Sequence, residues 1–546
     1  MKNRILILIF FSFPFYAELI KFSGYTTLYG EYNDINGDTL IEPTTQMRFF
    51  LNPTISIAEM PISFELCLSS LESKARQALN KYRISIQPEK LLKEKANLPS
   101  FIFSISNIEF GTCYPYFSSL TLSGIPLTGG VFELNPGIFH LEGAKGTIQR
   151  GVTGSDSTFT EYAYERSMFA FTLGLGRKEN SHLHFIFLHG IDDTNSVSPY
   201  FIPLGSDTDS VEVLKPMENY LLGALLKLSF FNNKFNIESE FVGSELVRDI
   251  RTPELPSSEI PSFIKNLLHP KISSSFDLAF LINSSLTIYN TEISGSLTLV
   301  GPGFFSFGNP YQRNDLLSYK GGLKQNLFNN TLFLFASLSK EKDNLIGIKG
   351  STTAFQTHEL GIGFNFSDFP SIQFSYSPYS EKNDSINLDR KCDMFSINTG
   401  YNYNFMNLNN NTTLFLSYQN YEDTNDSSNY SGKAISLYHD ISFIKPLTIS
   451  FEIDFSETNY PDTVEKTLSL DFGTYYTFLE KLTNGIGVNI SKEKETSKKG
   501  LYLNSSLSTK FLGNLTLEVE RNFYSGKLEK ENYDEWRIIG SASRKW

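Results

Sequence analysis

A chain of 546 residues, 40% hydrophobic and 14% aromatic with 48 Phe and 28 Tyr, has a mean hydropathy of -0.19; its length alone suggests several soluble domains, yet no linker or shift in composition divides it. The net charge of -12 gives no support to nucleic-acid binding. Cys67, Cys113 and Cys392 are odd in number and widely spaced, so at least one is unpaired within the chain, and no metal or other cofactor is expected.

The chain opens "MKNRILILIFFSFPFYA". Lys2 and Arg4 precede an apolar run from Ile5 to Phe13, and Pro14 and the small residue Ala17 follow. This is the pattern of a secretory signal peptide, and the run is well short of the roughly 20 residues that a spanning helix needs. The expected division is therefore a leader over 1–17 and a single mature domain over 18–546.

From there the sequence alternates. "KFSGYTTLYGEY" begins within a few residues of the expected cut, and Cys67 in "ISFELCLSS" reads as a small apolar strand residue. "SHLHFIFLHG" puts His182 and His184 on one side of a strand, where they could share a metal but are better read as lumenal or interfacial histidines. "LLKLSFFNNKFNIESEF" and "KQNLFNNTLFLFASL" are hairpins that share the turn residues Phe-Asn-Asn. Between them, "SELVRDIRTPELPSSEIPSFIKNLLHPK" is a poor strand, because Pro253, Pro256 and Pro261 lack the ladder donor. Its end places Phe263, Ile264, Leu267 and Leu268 at helical spacing before Pro270, a short amphipathic helix expected to occlude the pore from an outer loop. Further on, Leu447, Ile449, Phe451, Ile453 and Phe455 share one strand face. So do Leu515, Leu517 and Val519, against Thr516, Glu518 and Glu520 on the other, the period-two mark of a strand.

Connections alternate as well. Short turns centre near Met60, Asn135, Lys178, Asn232, Ser284, Asn329, Phe369, Leu408, Lys445, Lys481 and Gly513, with a longer one over 88–100. Longer polar stretches such as "EDTNDSSNYSG" and "YSGKLEKENYDE" lie between them. Two strands of about 10 residues, one tight turn and one longer loop make the repeat of an outer-membrane barrel. The expected fold is all-β, a single transmembrane antiparallel barrel of roughly 26 strands (about 22–26), within the known range. Lipid forces closure, because every backbone hydrogen bond must be made laterally.

The last segment, "EWRIIGSASRKW", puts Trp536, Ile538, Gly540, Ala542, Arg544 and Trp546 on one face. It resembles the terminal strand of large bacterial outer-membrane β-barrel, porin-like proteins, which end on an aromatic residue after alternating apolar ones. Arg544 departs from that pattern and would have to snorkel to the interface. The resemblance implies that Trp546, Ala542, Gly540 and Ile538 form a signal read by the barrel-assembly machinery. It also implies a cell outer-membrane location with membrane lipid as partner. The long last loop is outer, which leaves Trp546 on the periplasmic side.

No G-x-S-x-G, H-E-x-x-H or phosphate-binding loop is present, and an enzyme is not expected. The leading functional reading is a channel for hydrophilic or amphipathic solutes. The alternative is the barrel of a secretion or surface-assembly complex, its lumen filled by a partner, because about 16 to 18 strands already leave an aqueous channel.

Overall fold

The computed structural model describes residues 20–36, 45–71, 76–92, 99–153, 162–199, 201–203, 210–212, 214–256, 268–384, 388–424, 429–443, 446–527 and 532–546. The expected leader over 1–17 lies outside them.

Alternation in the sequence becomes one antiparallel sheet of 27 strands joined in chain order. Strand Ile20–Asn36 pairs with Thr45–Ile57 on one side and with the last strand, Tyr533–Lys545, on the other, so the sheet closes on itself. Ser371–Tyr376 and Tyr379–Asn383 share a single stave, both lying between Thr353–Phe364 and Leu388–Phe405. Pro378 interrupts that stave because it has no N–H for the ladder. The barrel therefore has 26 staves among the described residues. A strand spacing of about 4.8 Å and a tilt of about 40° give a circumference of roughly 160 Å. The small hairpin Phe201–Pro203 with Ser210–Glu212 stands outside this wall.

Tight turns fall at one end of the barrel. Ala58 and Glu59 (φ 47° and 72°) and Met406 and Asn407 (φ 52° and 61°) are two-residue hairpins with both central residues left-handed, the form whose twist matches that of the strands. The two Phe-Asn-Asn turns repeat one conformation, with φ of 53°, 57° and 64° at Phe231–Asn233 and 51°, 55° and 68° at Phe328–Asn330. Lys445, where another turn is expected, lies outside the described residues, and among those described one expected turn is absent. Ser284 lies inside strand Ser274–Ile288, and the chain reverses at Tyr289 and Asn290 instead. Asn283 and Ser285 face the lumen, where polar side chains are as acceptable as in a turn.

Strand Glu165–Leu175 shows how the faces divide. Phe169, Leu173 and Leu175 point outward and are exposed, whereas Met168, Ala170 and Thr172 point inward and are buried. An apolar outer face and a closed ladder are what lipid requires. Leu517 likewise lies on the outer face and Glu518 on the inner one, in register with Gly540 and Ile539 of the last strand. No helix among the described residues is long and apolar enough to cross a membrane, so the chain crosses with strands. All three cysteines are unpaired, Cys113 and Cys392 buried and Cys67 partly so. The buried core sits inside the barrel, against one arc of its wall.

Candidate functional site

Among the described residues, two loops turn into the lumen from the long-loop end. One, residues 114–126, joins strands Ile105–Cys113 and Leu127–Leu134. The other, residues 301–315, joins Thr291–Val300 and Leu316–Leu327. Leu120, Leu122, Phe304 and Phe307 are fully buried on them. Apolar side chains would not hold two irregular segments alone, since their backbone polar groups also need partners.

Those partners come from each other and from the wall. Ser306 Oγ donates to the Thr121 carbonyl at 2.6 Å, Ser123 N to the Gly308 carbonyl at 3.1 Å, and Asn309 Nδ2 to the Ser119 carbonyl at 2.8 Å. From strand Glu218–Phe230, Asn219 gives its Nδ2 to the Phe305 carbonyl at 3.0 Å and takes the Phe307 N–H at 2.9 Å. Ser244, on Phe235–Val247, donates to the same Phe305 carbonyl at 2.6 Å. On that strand the Glu240 carboxylate accepts from Ser118 Oγ and from Leu120 N at 3.2 Å. Asp277 accepts the Gly303 N–H at 2.7 Å. Arg166 is clamped by both oxygens of Asp192, at 2.7 and 3.0 Å, and its guanidinium lies 3.6 Å from the centre of the Phe307 ring. Two glycines make the fit possible. A Cβ at Gly190 would stand 2.6 Å from the Phe307 ring, and one at Gly308 2.4 Å from the Thr121 carbonyl.

The first inward loop reaches the short-turn end of the barrel. Lys178, in the turn after Glu165–Leu175, pairs with Glu142 at 2.6 Å and donates to the Tyr116 carbonyl at 2.8 Å. Beside it His140, His184 and His182 stack at ring distances of 4.3 and 4.1 Å. Gly174 lies between His140 and His184 in the register, and a Cβ there would come within 2.4 Å of the His184 ring. Each imidazole uses one nitrogen on a neighbouring turn: His140 on Asn135 Oδ1, His184 on the Gly176 carbonyl and His182 on the Asn180 carbonyl. The sequence paired His182 with His184 but missed His140, which lies far from them in the chain. No group of three metal-ligating side chains occurs among the described residues.

Across the lumen no described segment covers the wall. Asp440, Glu452, Asp454 and Asp471 lie on its inner face, Glu452 directly opposite Asp471. Tyr438 donates to Asp440 at 2.6 Å and Tyr502 to Asp471 at 2.8 Å. No cation pairs with these four carboxylates among the described residues. The same inner face carries Ser469, Asn489, Asn504 and Ser506, so it is wettable throughout.

Of the residues singled out in the sequence, Ile538, Gly540 and Ala542 lie on the outer face of the closing strand, opposite Tyr32, Gly30 and Leu28. Trp546 completes the seam, its N–H donating to the Gly24 carbonyl at 3.0 Å and its carbonyl accepting from Gly24 N at 2.8 Å. Arg544 rests 5.4 Å from the Phe511 ring, a cation–π contact beside a short turn. Phe263, Ile264 and Leu267 lie outside the described residues, and Leu268 is half-buried just before His269 and Pro270. Earlier in the same outer loop, Arg251 grips Glu212 of the neighbouring small hairpin at 2.8 and 2.7 Å and Asp249 at 2.9 and 3.0 Å. Those hydrogen bonds hold both carboxyls below their usual range. The two loops described in the lumen had one signal in the sequence, apolar runs with Gly and Pro ("YPYFSSLTLSGIP", "GPGFFSFGNP") where outer loops are otherwise polar.

No protein-family model matches the sequence, and no curated protein does. Among solved structures, a BenF-like porin from Pseudomonas fluorescens Pf-5 aligns at 11% identity and a TM-score of 0.31, over 67% of this chain and 97% of that one. OccK9 (OpdG) of Pseudomonas aeruginosa aligns at 14% identity and 0.30, over 70% and 98%. The P pilus usher PapC translocation pore aligns at 9% identity and 0.27, over 96% and 99%. The fold is established by the strand pairing itself. A closed antiparallel barrel with an apolar outside and a wettable inside is the form in which strands cross an outer membrane, and the chain is a large β-barrel of that membrane.

Proposed function

We propose that this barrel is a channel for hydrophilic or amphipathic solutes across the outer membrane. One observation carries the reading: the two inward loops cover one arc of the wall and leave the facing arc as a continuous polar surface, on which Asp440, Glu452, Asp454 and Asp471 keep their charge free. A lumen meant only to be filled by its own chain would pair or bury these groups, because an unpaired buried charge is costly. Purified protein in a planar bilayer should give discrete conductance steps that candidate solutes reduce. A protein that inserts but conducts no current would overturn the channel.

The alternative, a secretion or surface-assembly barrel filled by a partner, is favoured by the circumference. Among the described residues two short loops leave most of a 26-stave lumen open, in a barrel far beyond the roughly 16 to 18 strands that already conduct water. A very large, unblockable conductance, lost on adding a periplasmic extract, would support that reading.

A further inference from the structure

The lumen wall beside the inward loops carries a depression of about 520 Å³, within the range of roughly 300–1,000 Å³ seen for small-molecule sites. Its floor is made low by small residues, Ser294, Gly322 and Ser337, which lie side by side across three staves. Longer side chains stand around it. Lys324 faces Glu292 on one neighbouring stave and Phe335 on the other. Glu359 lies opposite Ser337 one stave further on.

Three of the charges here lack the ion pairs that tie many others on this wall. Arg83 pairs with Glu65, Arg166 with Asp192, Arg390 with Asp423, Lys498 with Glu520 and Arg537 with Glu31. Glu292 and Lys324 are direct cross-strand neighbours, an arrangement that normally lets opposite charges meet, yet they form no ion pair among the described residues. Glu359 has no ion pair there either. Lys324, Glu292 and Glu359 are all exposed to the lumen. Between the lysine and the far glutamate lies Phe335, whose ring lies over Gly361, where a Cβ would come within 2.0 Å of it. The ring is thereby pressed flat onto the wall, leaving room above it. Lys324 and Glu359 stand two staves apart and two residues out of register, about 12 Å at the backbone, a gap that long side chains narrow readily.

We propose that this depression is a docking site for a short zwitterionic peptide on its way through the channel. Lys324 takes the terminal carboxylate, Glu359 the terminal ammonium, and the Phe335 ring packs against an apolar side chain between them. Lys227, Lys320 and Lys324 are balanced around the depression by Glu238, Glu292 and Glu359, so an anion alone gains no net attraction, and a cation alone would leave Lys324 without its partner. Both signs must arrive on one molecule, at a spacing that a free salt ion does not have.

The inference rests on the channel reading, so binding is measured apart from conduction. Calorimetric titration of the folded barrel in detergent with glycyl-phenylalanine should show saturable binding. The N-acetylated dipeptide, which keeps only the carboxylate, and the amidated one, which keeps only the ammonium, should each bind at least tenfold more weakly. Lys324→Ala and Glu359→Gln should each lower zwitterion affinity at least tenfold, while heat-modifiable gel mobility and conductance in potassium chloride stay unchanged. The exchange of both charges, Lys324→Glu with Glu359→Lys, should recover part of the loss. Equal affinity for all three peptides, or no binding by a folded and conducting barrel, would overturn the site and leave the channel standing. Binding without conductance would overturn the channel and leave the site standing. Acetylated peptide binding as tightly as the zwitterion would make this an anion site and overturn the zwitterion assignment.

Discussion

Glu240→Ala tests whether the first inward loop is fastened as the geometry says. Glu240 is 1% exposed and accepts from Ser118 Oγ and Leu120 N. Alanine leaves the Leu120 N–H without its acceptor in a dry cavity, while the Ser118 hydroxyl can still turn to Thr121 Oγ1. A buried donor without an acceptor costs about 1–3 kcal/mol, so docking weakens by roughly that amount. Since about 1.4 kcal/mol is a tenfold change in an equilibrium, the released population rises by roughly thirtyfold at the middle of that range. The loop should not leave permanently, because the contacts of Tyr116 with Lys178, Thr121 with Ser306 and Ser119 with Asn309 do not pass through Glu240. The expected result is faster amide hydrogen exchange confined to residues 114–126, together with brief excursions to a second conductance level in single-channel records. Glu240→Gln should be milder, since its amide oxygen still accepts. Unchanged exchange in that segment, in an alanine variant with normal heat-modifiable mobility, would refute the reasoning.

At the seam, deletion of Trp546 removes both hydrogen bonds to Gly24 and should lower the folded fraction in detergent gels, while Trp546→Phe keeps them and should be mild; equal membrane levels for deletion and wild type would count against an assembly role. Leu517→Arg puts a charge on the lipid face at a cost of about 2–4 kcal/mol near mid-membrane, whereas Glu518→Arg faces the lumen and should fold normally; equal damage by both would show the register to be wrong. The free carboxylates Asp440, Glu452, Asp454 and Asp471 should make the channel cation-selective, by a reversal potential that fades between about 0.1 and 1 M salt as screening shortens from roughly 10 to 3 Å, and Glu452→Gln with Asp471→Asn should weaken it; anion selectivity at low salt would refute this. The Arg251 clamp stabilises through depressed carboxyl values at Glu212 and Asp249, so its contribution is complete above the ordinary carboxylate range of about pH 4 and is lost as pH falls through the lower folded values. Open-channel noise should therefore rise in acid for wild type and be raised at neutral pH in Arg251→Ala, and noise in the wild type that ignores pH would exclude the clamp.

The wall was legible because lipid imposes a local rule. Leu515, Leu517 and Val519 must face outward whatever lies elsewhere in the chain, and the Phe-Asn-Asn hairpins signal their own turns. The misplaced turn at Ser284 shows where that rule gives out. Asn283, Ser284 and Ser285 form a polar cluster of turn-forming type, but a strand bordering an aqueous lumen tolerates the same residues. Only continued pairing with Phe235–Val247 and Thr291–Val300 decides between the two.

The furnishing of the lumen obeys no local rule. Glu240 and Glu518 are both acidic residues on the inner face of a regular strand, and nothing beside them in the sequence tells them apart. One is sealed under a loop 120 positions away, the other stands in the open lumen. Ser306 finds its acceptor 185 positions off, at Thr121. Such contacts specify each other and leave no periodic trace. They also decide where chemistry is possible. On the covered arc, carboxylate, amide and guanidinium groups are tied to backbone or to each other and serve to hold the loops. On the uncovered arc and in the depression beside Phe335, groups of the same kinds have partners to gain. A solute that meets the wall exchanges hydration for contacts only where the wall's own chain has left its charges unpaired, and that confines selectivity to the side of the barrel that the inward loops do not reach.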